Sequence, residues 1–151
     1  MIKRIMFVCH GNICRSPMAE FIMKDLVAKR GLTDRIAVSS AAISDEAEGC
    51  GIHRGTIQVL RAHNIPFSEH RAVVLKNEDY EKYDCFALMD YQNLRTIPSI
   101  FPQDPERKIH LLLYYAGESR EIVDPWYSGN FEQSYADILK GCQALLALYG
   151  K

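Results

Sequence analysis

A cysteine and an arginine stand six residues apart near the N-terminus, in the segment FVCHGNICRSPMAE. Cys9 follows a short apolar run, and Arg15 precedes Ser16 and Pro17, a pair typical of a helix cap followed by proline in the first helical position. The intervening HGNIC contains glycine and asparagine, which tolerate tight or left-handed turns. The segment therefore predicts a strand, a tight loop and a helix, with a thiol and a guanidinium on the loop.

This arrangement suits the binding of an oxyanion. A loop that enters a helix N-terminus directs several backbone N–H groups and partial positive charge towards one point. Arg15 adds a planar fork that can hold two phosphate oxygens, and a Cys9 thiolate beneath a bound phosphate is an in-line nucleophile. The spacing predicts covalent phosphoryl transfer with no metal required. The residues expected to surround the phosphate are His10, Gly11, Asn12, Ile13, Cys14, Arg15 and Ser16.

The alternative is that Cys9 is a small buried residue at a strand end, followed by an arbitrary turn. A cysteine and an arginine at this spacing would not by themselves exclude that interpretation. The strand, the turn formers, the cap and the helix occur here in the required order, and this order favours the catalytic interpretation.

Composition narrows the possible function classes. A chain of 151 residues with 48% hydrophobic and 25% charged residues is typical of one globular domain, spanning residues 1–151. A net charge of -1 argues against general binding to nucleic acid or to a membrane surface, so an anion site must be local. Five cysteines without zinc-site spacing, and an N-terminal run too short for a signal core or a membrane span, favour free thiols in the reducing cytoplasm.

Strand-like and helix-like patterns alternate along the chain, which predicts βαβ units and a mainly parallel sheet. Ligands of such sheets bind beyond the carboxyl ends of the strands, where Cys9, Ser40 and Asp90 fall. The segment EIVDPWYSGN is predicted to be a loop. The predicted elements are a strand KRIMFVC, a helix from Pro17 to about Arg30, a strand RIAVSSAAIS, a helix RGTIQVLRAHN, short helical turns in HRAVVL and NEDYEKY, a strand DCFALMD, a helix YQNLRTI stopped by Pro98, a strand RKIHLLLYY, and a helix from Phe131 to about Tyr149.

The segment VCHGNICRSPMAE resembles the signature of the low-molecular-weight protein tyrosine phosphatases, C-x5-R-S near the N-terminus. SSAAIS, HRA, MDYQNL and VDPWYSG match that family in the same order, so the resemblance covers essentially the whole chain. It implies one α/β domain with a four-stranded parallel sheet flanked by helices on both faces (phosphotyrosine phosphatase I-like). It also implies hydrolysis of phosphotyrosine and other aryl phosphate monoesters without cofactor or metal. The implied substrate is a phosphotyrosyl protein or a small aryl phosphate, and neither nucleic acid nor membrane is an expected partner.

The resemblance implies three catalytic roles. Cys9 corresponds to the nucleophile that forms a cysteinyl-phosphate, Arg15 to the phosphate clamp, and Asp124 in VDPWYSG to the general acid and base. A phenolate leaves more easily when it is protonated, because its conjugate acid has a pKa of about 10. The alternative for Asp124, a turn-forming Asp-Pro, would be preferred if the Cys9 segment were absent.

Further positions matched by the family support the loop. Besides capping the helix, the Ser16 hydroxyl is expected to stabilise the thiolate. Asn12 is expected in a left-handed backbone conformation, held by Ser40 and His70. The resemblance also suggests a reversible disulfide between Cys9 and Cys14 that protects the nucleophile from overoxidation, although Cys14 could equally be a packing residue.

The substrate walls depart from the family pattern. Many members carry an aromatic residue where this chain has Glu46, while Trp126 and Tyr127 replace the usual tyrosine pair on the opposite wall. One aromatic wall still allows stacking. Glu46 would repel acidic peptides or favour basic ones, unless it is simply a solvent-exposed residue.

Two other functions fit parts of this pattern. A thioredoxin-coupled arsenate reductase shares this type of fold and loop, but it needs further cysteines on a mobile segment after the third strand, and that region offers only Cys85, expected to be buried in YDCFALMD. A noncatalytic phosphate-binding module would normally have lost Cys9, Arg15 or Asp124, and all three are present.

Overall fold

Four parallel strands form the centre of the fold in a computed structural model that describes residues 1–151. The sheet order is β2-β1-β3-β4, and all three strand pairs are parallel. The predicted fold class, a four-stranded parallel sheet with helices on both faces, is confirmed. The strands are β1 (Lys3–Cys9), β2 (Ile36–Ala42), β3 (Cys85–Leu88) and β4 (Ile109–Leu111), and the helices are α1 (Arg15–Lys29), α2 (Arg54–Ala62), α3 (Tyr91–Thr96), α4 (Pro125–Ser128) and α5 (Phe131–Tyr149).

β1 lies between β2 and β3, and an apolar cluster packs on each face of the sheet, so the run from Ile5 to Cys9 is buried. This environment explains why the segment is a continuous apolar run without alternating polar residues. In register, Cys9 pairs with Ala42 and Val8 pairs with Leu88. The carboxyl ends of three strands therefore meet at one edge, and the loops that follow them build the site.

Two apolar clusters cover the two faces of the sheet. Phe7 points into the larger cluster, to which α1, α2 and α5 contribute, while Met6 and Val8 point into the smaller one on the other face. This alternation follows from the two-residue period of a strand. Burial on both faces makes β1 a rigid support for the loop after Cys9.

The start of α1 and the length of β4 differ from the prediction. α1 begins at Arg15, two residues before the expected start, and Cys14 takes the N-cap position without a side-chain cap. Pro17 falls in the first turn, where its missing N–H has no helical partner to lose. The predicted cap role of Ser16 is therefore wrong. The strand predicted for RKIHLLLYY is only three residues long, because the chain turns into a 3-10 helix at Leu112–Ala116.

The cause of the short strand is the approach of α5. Leu112 and Leu113 are fully buried, and a Cβ at Gly141 of α5 would lie 2.4 Å from the Leu112 side chain. The chain leaves the sheet so that these side chains can pack against the helix. The predicted helical turn in HRAVVL is also wrong, since Val74 forms a parallel bridge with Ala42. The turn in NEDYEKY is confirmed as a 3-10 helix at Asn77–Lys82.

α5 begins and ends as predicted. The Asn130 side chain accepts a hydrogen bond from the Gln133 N–H at its start, and Gly150 follows its last residue. None of the helices combines the length and apolar character needed to span a bilayer.

Candidate active site

The loop between β1 and α1, residues 10–14 and here called the anion loop, curls around the Cys9 sulfur. The Asn12 N–H donates to Cys9 Sγ at 3.2 Å, and the Ser16 Oγ lies 3.0 Å from the same sulfur. Cys9 is buried at the floor of a cleft of about 280 Å³. Two polar groups thus contact the sulfur from within the protein, and its remaining side faces the cleft.

Asn12 fixes the shape of the anion loop. Its φ of 58° lies in the left-handed region, as expected, and its side chain is fully buried. The amide donates to Ser16 Oγ at 2.7 Å and to Ser40 Oγ at 2.9 Å, and it accepts from the Val73 N–H at 3.1 Å. His70 Nε2 lies 3.0 Å from the Asn12 carbonyl. These hydrogen bonds therefore hold Asn12 in a backbone conformation that costs energy in any residue other than glycine.

Glu20 completes this network, and sequence reasoning missed it. The Ser40 hydroxyl donates to the Glu20 carboxylate, so its lone pairs are free to accept from Asn12. Lys24 donates to the same carboxylate, and His70 Nδ1 lies 3.9 Å away. The available signal was the position of Glu20 one helical turn after Ser16, on the face of α1 that turns towards the sheet.

Arg15 is the largest polar side chain in the core, with 2% of its surface exposed. Its Nη1 donates to Asp90 Oδ2 and to the Ile122 carbonyl, each at 2.8 Å, and its Nη2 lies 3.4 Å from Asp124 Oδ2. Burial alone would lower the pKa of Arg15, but the negative charges of Cys9, Asp124 and Asp90 raise it above its ordinary value. The guanidinium is permanently charged and anchored by one of its nitrogens.

Asp90 holds two elements at once. Its Oδ1 caps α3 by accepting from the Asn93 N–H at 2.7 Å, while its Oδ2 accepts from Arg15. The sequence indicated that Asp90 lies beyond the carboxyl end of a strand, but it did not reveal the contact with Arg15.

Asp124 lies at the start of α4, within residues 122–131, here called the acid segment. Its Oδ1 accepts from the Trp126 N–H at 3.0 Å, which makes it the N-cap of this short helix. The loop predicted for EIVDPWYSGN therefore contains a helical turn. Upstream, the Ile122 N–H donates to the Met89 carbonyl at 2.8 Å. The carboxylate is thus tied to the end of β3 and faces Arg15.

The cleft above Cys9 has an aromatic side and an acidic side. Trp126 and Tyr127 line it from α4, and Glu46 lines it from the loop after β2. His10 Nε2 lies 3.2 Å from Glu46 Oε2, so a residue of the anion loop and the predicted wall residue form a pair at the rim. All predicted wall residues border the same cleft.

Cys14 differs from Cys9 in its environment. Burial, and then the negative charge of Cys9, raise the pKa of Cys14 to about 12. Cys14 is therefore a neutral thiol at physiological pH, and both cysteines are free thiols.

No group of three or more His, Cys, Asp and Glu side chains is placed to hold a metal ion.

Comparison with known proteins gives a consistent result. Residues 4–151 match the family described as low molecular weight phosphotyrosine protein phosphatase. The chain is similar to the low molecular weight protein-tyrosine-phosphatase YfkJ of Bacillus subtilis, with 39% identity over 95% of this chain and 93% of the relative. The crystal structure of YfkJ superposes with a TM-score of 0.93 at 38% identity, covering 98% of this chain and 94% of that one.

Two further relatives are named for different phosphatase activities. PtpA of Staphylococcus aureus, also called a low molecular weight protein-tyrosine-phosphatase, is 37% identical over 94% of this chain and 90% of the relative. The crystal structure of a Drosophila arginine phosphatase superposes with a TM-score of 0.86 at 33% identity, covering 97% of this chain and 98% of that one. The fold is therefore found with two differently named phosphatase activities.

Proposed function

Because this chain belongs to the low molecular weight phosphotyrosine protein phosphatase family, a hydrolase family, we propose that it hydrolyses aryl phosphate monoesters through a covalent intermediate on Cys9. The Cys9 thiolate attacks phosphorus, the bond to the phenolic oxygen breaks, and Asp124 gives that oxygen a proton. Water then attacks the cysteinyl-phosphate, Asp124 takes a proton from the water, and the thiolate leaves. The net products are a phenol and inorganic phosphate.

The observation that carries this proposal is the convergence of Cys9, Arg15 and Asp124 on one cleft. They come from the ends of different elements, separated by up to 115 residues of sequence between Cys9 and Asp124. A purely structural explanation would account for each of them separately but not for their common orientation towards an accessible space.

The contacts of Arg15 support its role as the phosphate clamp. Both hydrogens of Nη1 are used by Asp90 and Ile122, while Nε makes no hydrogen bond within the protein and Nη2 makes only the long one to Asp124. The edge formed by Nε and Nη2 is the planar fork that binds two oxygens of a phosphate. In the pentacoordinate transition state it stabilises the charge on the equatorial oxygens.

The contacts of the sulfur support its role as the nucleophile. The Asn12 N–H and the Ser16 hydroxyl both lie within hydrogen-bond range of Cys9 Sγ, and both can donate to a thiolate. The same two bonds stabilise the thiolate again when it leaves in the second step. Because Cys14 remains protonated, it does not compete as a nucleophile.

The walls of the cleft support an aryl substrate on a protein. Trp126 offers an aromatic surface for a phenyl ring, and the exposed Tyr127 beside it can contact the surrounding peptide. Glu46 favours a basic residue next to the phosphotyrosine and disfavours an acidic one. A reactive thiol in the site and free thiols throughout the chain support a reducing, cytoplasmic setting.

The two rival functions find less support. A redox relay would need a second reactive thiol near Cys9, and the candidate Cys85 is buried within β3, where burial raises its pKa to about 11. A binding module has no use for a carboxylate that faces the phosphate clamp at 3.4 Å, as Asp124 does.

The test is steady-state hydrolysis of a phosphotyrosyl peptide with EDTA present, with phosphoarginine assayed in parallel. Cys9→Ser is expected to abolish turnover, and Asp124→Asn to lower kcat about 10²- to 10⁴-fold. Cys50→Ser, which changes an exposed cysteine away from the cleft, is the matched control and should retain parental activity. Turnover by Cys9→Ser would contradict the nucleophile, and a larger kcat/KM for phosphoarginine would contradict the aryl substrate.

A further inference from the structure

We propose that the imidazole ring of His53 positions Asp124, by serving as the support on which the acid segment packs. This inference rests on the proposed role of Asp124 as the general acid. His53 lies at the start of α2, outside the cleft, and acts through its neighbours. It is therefore a positioning residue and does not touch the substrate.

His53 is fixed relative to the nucleophile. Its backbone N–H donates to the Ile13 carbonyl of the anion loop at 2.9 Å. Its Nδ1 accepts from the Gly55 N–H at 2.9 Å, so the ring is held as the N-cap of α2. Three residues further along the chain, the Thr56 hydroxyl donates to the Cys14 carbonyl at 3.2 Å. The start of α2 and the anion loop therefore form one rigid unit.

The other side of the His53 ring faces the acid segment. Phe131 stacks on it, with ring centroids 5.1 Å apart and planes at 19°, and Trp126 meets it edge-on at 5.4 Å and 76°. A Cβ at Gly55 would lie 2.4 Å from the Phe131 ring, so this close approach requires glycine at position 55. One imidazole thus contacts both ends of the stretch from Trp126 to Phe131.

These contacts matter because the acid segment is held by different contacts before and after Asp124. Upstream, Ile122 bonds to Met89, directly after β3, and to Arg15, and the Val123 carbonyl accepts from the Ser134 hydroxyl. Downstream, Trp126 is 58% exposed. Its backbone N–H holds Asp124 Oδ1, so movement of Trp126 moves the carboxylate. The ring of His53 supports this downstream half.

The alternative is that His53 matters only as the cap of α2. Two substitutions separate the ring from the cap. His53→Asn keeps a side-chain acceptor for the helix start but removes the aromatic surface. His53→Phe keeps an aromatic ring but removes the acceptor.

The assay compares kcat/KM for phenyl phosphate and for dinitrophenyl phosphate. Phenol needs a proton as it leaves, whereas dinitrophenolate leaves readily without one, so only phenyl phosphate depends strongly on a well-placed acid. We expect His53→Asn to lower kcat/KM for phenyl phosphate at least about tenfold, with less than about a twofold loss for dinitrophenyl phosphate. His53→Phe should stay within about threefold of the parent for both substrates. Asp124→Asn shows the difference between the two substrates when the acid is absent. Melting temperatures verify that each variant is folded.

Four results would overturn the proposal. Equal losses on both substrates after His53→Asn would mean that the anion loop, and not the acid, is disturbed. A loss on phenyl phosphate in His53→Phe, with none in His53→Asn, would assign the effect to the cap. If Asp124→Asn itself shows no leaving-group dependence, the general-acid role fails and this inference with it. A dependence in Asp124→Asn but none in His53→Asn refutes the role of His53 alone.

Discussion

Replacing Asn12 with alanine separates the hydrogen bonds of the anion loop from its backbone strain. The chain contains a matched control, because Asn64 has φ 57° against 58° for Asn12. Asn64 lies on the surface after α2, and its side chain makes no hydrogen bond within the protein. The two substitutions therefore share the cost of forcing alanine into a left-handed conformation and differ in everything else.

The expected magnitudes follow from the contacts. The left-handed backbone costs alanine about 1 kcal/mol at either position. At position 12, the change also removes the bonds to Ser16, to Ser40 and from the partly exposed Val73 N–H, at about 1 kcal/mol each. Asn12→Ala should therefore lower the free energy of unfolding by roughly 4 kcal/mol, against about 1 kcal/mol for Asn64→Ala.

Urea unfolding of both variants measures these losses, and kcat/KM for an aryl phosphate measures the effect on the site. Asn64→Ala should retain parental kcat/KM. Asn12→Ala should lose about 10²-fold or more at a temperature where it is folded, because the loop N–H groups no longer point at one centre. Equal stability of the two variants would contradict this prediction, since the side-chain hydrogen bonds of Asn12 would then add nothing to its tolerance of the left-handed backbone.

Three further predictions concern the surroundings of the cleft. Asp90→Asn should keep the cap of α3 but lose the negative charge that anchors Arg15. We therefore expect kcat/KM to fall about tenfold while the helix content is unchanged. An unchanged kcat/KM would contradict the anchoring role. Glu46→Gln should change the ratio of kcat/KM for two phosphotyrosyl peptides, one with a flanking lysine and one with a flanking glutamate, by about threefold to fivefold in favour of the glutamate peptide. The kcat/KM for p-nitrophenyl phosphate should stay the same. Burial raises the pKa of Cys14 to about 12 and that of Cys85 to about 11, from ordinary values near 9.0, so the folded chain keeps protons that the unfolded chain releases. Stability from these thiols is fully present below pH 9.0 and is lost as the pH rises towards 11. Urea midpoints at pH 8, 9 and 10 test this, and Cys85→Ala should flatten the decline.

The anion loop could be predicted from local pattern, because Cys9 and Arg15 bracket a strand, turn-forming residues and a helix in the required order. Asp124 could not be, because an Asp-Pro pair alone indicates a turn, and its expected role came from the family resemblance. The expected left-handed Asn12 is confirmed, and Ser40 and His70 do contact it. Local pattern is sufficient for the loop itself because strand, turn and helix termini are encoded over a few residues, whereas the distant partners Ser40 and His70 were implied only by the family resemblance.

The supporting residues were missed because their partners are distant in sequence. Glu20 reads as an ordinary helical glutamate until Ser40 is placed against it, and His53 reads as a loop histidine until Phe131 and Trp126 pack on its ring. The short β4 was missed for the same reason. An apolar run is compatible with a strand or with a turn packed into the core, and only the packing of α5 selects the turn. Periodicity alone does not distinguish these possibilities.

The most direct test of the account is to trap the covalent intermediate. The protein is mixed with a rapidly cleaved aryl phosphate, quenched in acid within milliseconds, digested and analysed by mass spectrometry, with Asp124→Asn alongside. We expect one phosphoryl group on the peptide that contains Cys9, and a larger trapped fraction in Asp124→Asn, where the attack of water is slowed. Turnover with no phosphoryl group on Cys9, or with the group on another residue, would contradict the mechanism.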